Sequence, residues 1–195
     1  MTVELIIVIA AYLVGSIPTG LLLARLMGGV DIRTTGSGNI GATNVSRTLG
    51  WKVGVLTLLG DCLKGVVPVL VARHFGVTEG WLALTAFAAF AGHVYTVFLR
   101  FKGGKGVATA LGVFLALSPL SVAGAVVIFA LMLWKWRYVS LGSITAAAAM
   151  PLLVALIDRR GLIFLMSIAI ATIVIWKHRE NISRLKSGTE SKFKG

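Results

Sequence analysis

VATALGVFLALSPLSVAGAVVIFALMLW, residues 107–134, is the stretch on which the fold of this 195-residue chain turns. It carries no charge and is interrupted once, at Ser118-Pro119. Proline has no amide hydrogen to give a helix interior, and the residue before it is pushed towards extended backbone. Read as one kinked helix, the stretch crosses a membrane once. Read as two helices it crosses twice, and everything after it changes sides.

The surrounding sequence makes a membrane the frame. Hydrophobic residues are 57% of the chain and charged residues 13%, against about 45–50% and about 25% in soluble domains. Apolar runs occupy 5–24, 51–72, 81–99, 139–157 and 162–176, and a helix needs roughly 20 apolar residues to span the bilayer. A helical bundle then uses nearly the whole chain, leaving no room for a separate soluble catalytic domain. Unbroken runs, in place of alternation, disfavour a β-barrel. The first run follows Glu4 and no basic residue, and it is longer than the apolar core of a signal peptide, so it reads as a retained helix.

Charge decides between the two readings of 107–134. There are 19 Lys and Arg against 7 Asp and Glu, a net +12. With one kinked helix the chain crosses six times, and the basic residues outside helix interiors divide nine against nine. With two helices it crosses seven times, and the division is 15 against 3, with Arg73, Arg159 and Arg160 on the minority face and Lys64 left inside a helix. The positive-inside bias selects seven crossings, amino terminus outside and carboxyl terminus cytoplasmic. The expected fold is an all-α, seven-helix integral membrane bundle with glycine-rich cytoplasmic loops. It forms a single domain over 1–195, with a basic cytoplasmic tail from about 178.

Residues 107–117 then make only about 16 Å of helix, short of a hydrocarbon core of about 30 Å. Either the helix starts earlier, or Phe101-Lys102-Gly103-Gly104-Lys105-Gly106 re-enters the membrane from the cytoplasmic side, where irregular backbone needs protein or a wet cavity around it.

Four cytoplasmic segments carry the chemistry. Gly36-Ser37-Gly38-Asn39-Ile40-Gly41-Ala42-Thr43-Asn44-Val45-Ser46-Arg47 contains Gly-x-Gly-x-x-Gly, but no strand precedes it, so a dinucleotide fold is unsupported. Its glycines and a following helix amino terminus suit an anion. Ser37, Gly38, Asn39, Thr43 and Asn44 are expected phosphate contacts, with Arg47 gripping by two donors. In the second segment, Gly103, Gly104 and Lys105 bring backbone and an ammonium to one anion, although Leu99 and Gly106 exclude a Walker loop. In the third, Ser143 bonds either substrate or its own backbone. In the fourth, His178, Asn181 and Ile182 share a face if the last helix continues; a solvated tail is the plainer alternative.

Inside the second apolar run, Asp61 and Lys64 lie three apart on one face, where ionised groups are costly unless paired. His93 reads as an interhelical hydrogen-bonding residue. Cys62, the single cysteine, has no neighbouring base and is a poor nucleophile. No His or carboxylate spacing suits a metal, and no cofactor is expected.

In order, Gly15-Ser16-Ile17-Pro18-Thr19-Gly20, the segment ending at Arg47, Asp61-x-x-Lys64-Gly65, Gly92-His93, Phe101 to Thr109, and the run from His178 to Leu185 resemble one family closely: the bacterial acyl-phosphate:glycerol-3-phosphate acyltransferases of the PlsY type. The resemblance spans about Gly15 to Glu190. It implies a seven-helix inner-membrane enzyme of phospholipid biosynthesis that moves a fatty acyl group from acyl phosphate to the 1-hydroxyl of glycerol 3-phosphate. The products are lysophosphatidate and phosphate. Its motifs place His178 and Asn181 with Lys105 and Arg47 as catalytic candidates. The implied partners are these two substrates and the lipid bilayer, with no nucleic acid and no obligate protein partner. The His-x-x-x-x-Asp motif of related acyltransferases is missing, since Phe98, Glu79 and Ser183 stand five residues after His93, His74 and His178. An anion or phosphate carrier shares the cationic loops, but it needs access from both faces and often shows repeats, which are not evident here.

Overall fold

The computed structural model describes residues 2–193; Lys194, in the basic tail, lies outside them. The helices are α1 Val3–Ser16, α2 Thr19–Gly28, α3 Ala42–Leu49, α4 Trp51–His74, α5 Glu79–Val94, α6 Val107–Leu117, α7 Pro119–Trp136, α8 Val139–Ile157, α9 Gly161–Lys177 and α10 Arg179–Lys186. Short 3-10 turns lie at Ile32–Thr34 and Val97–Leu99, and no strand occurs among the described residues. The chain divides into two compact units, Met1–Leu117 and Ser118–Gly195.

The boundary falls inside the 107–134 stretch. Ser118, at φ −150° and ψ 70°, is not helical, and Pro119 opens α7 in its first turn, where a missing amide hydrogen costs nothing. The stretch is therefore two helices. α6 begins at Val107 and no earlier. Five helical stretches are long and apolar enough to span: Val3–Gly28, Trp51–His74, Glu79–Leu99, Pro119–Trp136 and Val139–Ile157. The bent α9–α10 pair makes a sixth, and α6 is the short one.

In the first unit, α1 packs along α5 and α4 along α6. Small residues let the backbones approach, the usual device where lipid supplies no hydrophobic drive between helices. A Cβ on Gly92 would strike the Tyr12 carbonyl of α1, and one on Gly112 the Cys62 carbonyl of α4. α4 and α6 run in the same direction: beyond the Gly112–Cys62 approach, Arg73 Nη1 donates to the Ala116 carbonyl at 2.6 Å. The two helices thus end together.

Two apolar runs are more broken than expected. The first parts at Ile17-Pro18 into α1 and α2, and the exposed carbonyls at the break are taken from other helices: Thr96 Oγ1 donates to Ser16 O at 2.6 Å and Lys64 Nζ to Ile17 O at 2.8 Å. The 81–99 run stops being α-helical at Val94.

In the second unit, α8 packs against α7 and α9. The Ser118 and Ser121 hydroxyls both donate to the Asp158 carboxylate, Ser121 at 3.1 Å, tying the start of α7 to the end of α8. The helix does not run straight on through His178: α9 and α10 meet there at a 55° bend, and residues 179–186 form a helix of their own in place of a solvated tail. Exposed Trp51, Trp134, Trp136 and Trp176 stand at helix ends, and lysines lie over three of those rings at 4.5–5.9 Å, the pairing typical of a membrane–water boundary.

Candidate active site

The loop before α3 is organised by Asn44, which is buried. Its Oδ1 accepts from the Ser37 amide at 2.8 Å, and its Nδ2 donates to the carbonyls of Ile32, Thr35 and Asn39 at 2.9–3.1 Å. Asn39 Oδ1 accepts from the Gly41 amide at 2.9 Å, and the Gly38 amide donates to Thr35 O. The expected convergence of loop amides on an anion is thus revised, because those of Ser37, Gly38 and Gly41 point inward. At the amino terminus of α3 the amides of Ala42 and Thr43 lie outside the intrahelical ladder and are candidates for a ligand. Ser37, Gly38 and Thr43 are exposed, and Arg47 is exposed one turn further on.

Other cations nearby are engaged in shaping the loop. Arg33 binds Asp31 at 2.5 Å and Arg25 reaches the same carboxylate at 3.3 Å. The Arg33 guanidinium holds the Asp31 carboxyl far below the usual carboxylate range.

Residues 100–106 fold back along the last turn of α5. Arg100 and Phe101 both have left-handed backbone, φ 52° and 62°, and two such residues in succession reverse the chain. The Phe101 amide donates to Thr96 O, Gly103 to Val94 O at 3.2 Å and Gly104 to His93 O at 3.1 Å. Of the two explanations for a short α6, an earlier helix start is not the one seen, since the helix begins at Val107. Side chains are excluded at 103 and 104: a Cβ on Gly103 would run into the His93 and Val94 carbonyls, and one on Gly104 into the His93 ring. Lys105 follows, half-buried. Leu99 packs on the apolar cluster of Leu21, Ala24, Ile32, Ile40, Val45 and Val53 beneath the first loop, so both glycine-rich loops rest on one support.

The second unit holds the remaining candidates. His178 Nδ1 lies 2.7 Å from Val174 O; a carbonyl only accepts, so Nδ1 carries the proton and the neutral ring has its lone pair on Nε2. Ser143 donates to its own backbone, Val139 O, at 2.9 Å. Asn181 Nδ2 donates to Glu190 Oε1 at 2.7 Å, beside Ser140 Oγ on the same oxygen and Arg184 Nε on Oε2, each also at 2.7 Å. Glu190 is not legible in the sequence because its donors come from two separate helices, Ser140 from α8 and Asn181 and Arg184 from α10.

Burial pushes the Glu190 carboxyl up, but the bonds from Ser140, Asn181 and Arg184 outweigh it and leave it below its ordinary value. A lowered folded value stabilises the docked tail above the ordinary carboxylate range, and that stability is lost as pH falls through the folded value. Hydrogen exchange over 187–193 is expected to stay slow at pH 6 and to accelerate below about pH 4. Exchange in Glu190→Ala is expected to be fast at both.

Comparison with known proteins bears on the whole chain. The glycerol-3-phosphate acyltransferase family model matches residues 5–188. A glycerol-3-phosphate acyltransferase of Geotalea daltonii is 69% identical over 194 residues, covering 100% of both chains. That of Aquifex aeolicus is 49% identical over 191 residues, covering 97% of this chain and 98% of its own. The crystal structure of PlsY, an integral membrane glycerol 3-phosphate acyltransferase, in its glycerol 3-phosphate form superposes with a TM-score of 0.93 at 47% identity, covering 99% of this chain and 96% of that one. Its lysophosphatidic acid form gives 0.91. With 5–188 matched by the family model and a relative 69% identical over 194 residues, this chain belongs to the glycerol-3-phosphate acyltransferase family.

Proposed function

We propose that this protein transfers a fatty acyl group from acyl phosphate to the 1-hydroxyl of glycerol 3-phosphate, at the cytoplasmic edge of the bacterial inner membrane. The observation that carries this is the folded-back loop 100–106, which holds Lys105 beside two glycines closed to side chains. Acyl phosphate is a mixed anhydride with a good leaving group, so positioning and charge stabilisation supply most of what catalysis needs. The glycerol hydroxyl attacks the acyl carbonyl directly and phosphate departs, with no acyl-enzyme. Lys105 stabilises charge on the reacting phosphoryl and carbonyl oxygens, while Arg47 and the α3 amino terminus hold a phosphate. In this reading Asn44 shapes the loop and makes no substrate contact. The hydroxyl proton goes to a substrate phosphate oxygen or to His178, the two acceptors that the sequence motifs leave open; the pH profile of turnover in His178→Gln separates them.

Seven crossings with the amino terminus outside belong to the same proposal. The common direction of α4 and α6, which ends both helices at Arg73 and Ala116, supports it. That geometry suits α6 reaching the minority face before α7 begins.

The test is purified protein supplied with acyl phosphate and glycerol 3-phosphate. Lysophosphatidate is expected from acyl phosphate and none from acyl-CoA; equal use of acyl-CoA overturns the choice of donor. Uptake of phosphate into sealed vesicles without acyl transfer would favour the carrier. Cys62, whose carbonyl packs against α6, takes no part, and Cys62→Ser is expected to keep turnover within about twofold, in line with substitutions away from special features.

A further inference from the structure

Asp61, Lys64 and His93 are buried, at 2%, 5% and 3% exposure, and the reaction outlined above uses none of them. Asp61 Oδ1 lies 2.9 Å from Lys64 Nζ and, beyond hydrogen-bond reach, 3.7 Å from His93 Nδ1, so the same carboxylate oxygen faces both groups. Lys64 also donates to the Ile17 carbonyl at the break between α1 and α2. The far side of the His93 ring lies under Gly104, so close that a Cβ there would meet Nε2. The His93 carbonyl accepts the Gly104 amide. A contiguous path therefore runs from the α1–α2 break through Lys64, Asp61 and His93 to the backbone that carries Lys105.

Asp61 and Lys64 sit on the same helix, so their ion pair joins no helices by itself, and burying charge costs more than an apolar contact of the same shape. What the pair adds is a carboxylate held in place 3.7 Å from the His93 ring, the floor on which the glycine-rich loop lies. A loop with no side chains at 103 and 104 cannot hold its own position by packing, so the position comes from beneath.

We propose that Asp61, Lys64 and His93 form a buried positioning device that fixes loop 102–106 and through it Lys105. The proposal rests on the reading of Lys105 as a charge-stabilising group of the site.

Two variants test it: His93→Ala, and Asp61→Asn combined with Lys64→Met, which removes both charges so that neither is left buried alone. Hydrogen exchange over residues 101–106 is expected to rise at least tenfold in both, with exchange in α4 and α6 unchanged. Turnover is expected to fall about 10- to 100-fold, with the KM for glycerol 3-phosphate within about threefold of normal. Added to Lys105→Ala, either variant is expected to cause no further loss, because all three residues act through the same loop. Unchanged loop exchange in both variants, or losses that multiply with that of Lys105→Ala, would overturn the proposal. Should Lys105→Ala itself retain normal turnover, the catalytic reading of Lys105 fails, and loop exchange still decides whether the positioning device exists.

Discussion

Lys105→Ala is expected to lower turnover by about 10²–10³-fold, ~3–4 kcal/mol of transition-state stabilisation, in protein that inserts and purifies normally. The size follows from the setting. Lys105 is half-buried at the start of an apolar helix, where water screens charge poorly and a fixed cation acts more strongly than in solution. Steady-state rates of purified variant and parent, matched for folded protein, measure the effect. Lys105→Arg is expected to recover little, because a planar guanidinium on a longer stem does not place its donors where a compact ammonium did. Near-normal activity in Lys105→Ala would put the reacting atoms elsewhere.

Gly103→Ala is the second large effect, expected to cost about 10²-fold in turnover although Lys105 is untouched. The added methyl would meet the His93 and Val94 carbonyls, and backbone has no rotamer by which to withdraw. The loop must lift from α5, breaking the bonds from Gly103 and Gly104 to Val94 and His93 and moving Lys105 by a distance on the order of 1 Å, which is enough for such a loss. Gly161→Ala is the control: a Cβ there meets nothing within 4 Å, and wild-type turnover is expected. Equal losses in both would mean that the effect comes from folding and not from the loop.

Legibility in the sequence followed the range of the forces involved. The break at Ser118-Pro119 was readable because proline acts on its own neighbour, and α8 runs over Val139–Ile157, the span its apolar pattern marks. The short α6 was readable from length alone. The end of α5 at Val94 was not: residues 95–99 are as apolar as the helix before them, and the chain turns there because Thr96 reaches across to Ser16. Asn44 looked like a ligand group because a polar side chain in a glycine-rich loop is equally suited to substrate and to backbone; only the folded loop shows its amide bonded to four backbone groups. Ser143 is suited to the same two uses, and its hydroxyl turns to Val139. The pairing of Asp61 with Lys64 is local and was visible at a spacing of three. Its extension to His93 and Gly104 needs two further segments and was not.

Direct transfer without a covalent intermediate is tested by one mixing experiment. Protein at a concentration comparable to substrate is mixed with acyl phosphate labelled in the acyl chain, first without glycerol 3-phosphate and then with it. Expected is no phosphate release and no label on the protein in the first stage, then phosphate and labelled lysophosphatidate appearing together in equal amounts once the acceptor is added. A burst of phosphate equal to the protein present, with label retained on the denatured chain before any acceptor is added, would contradict it.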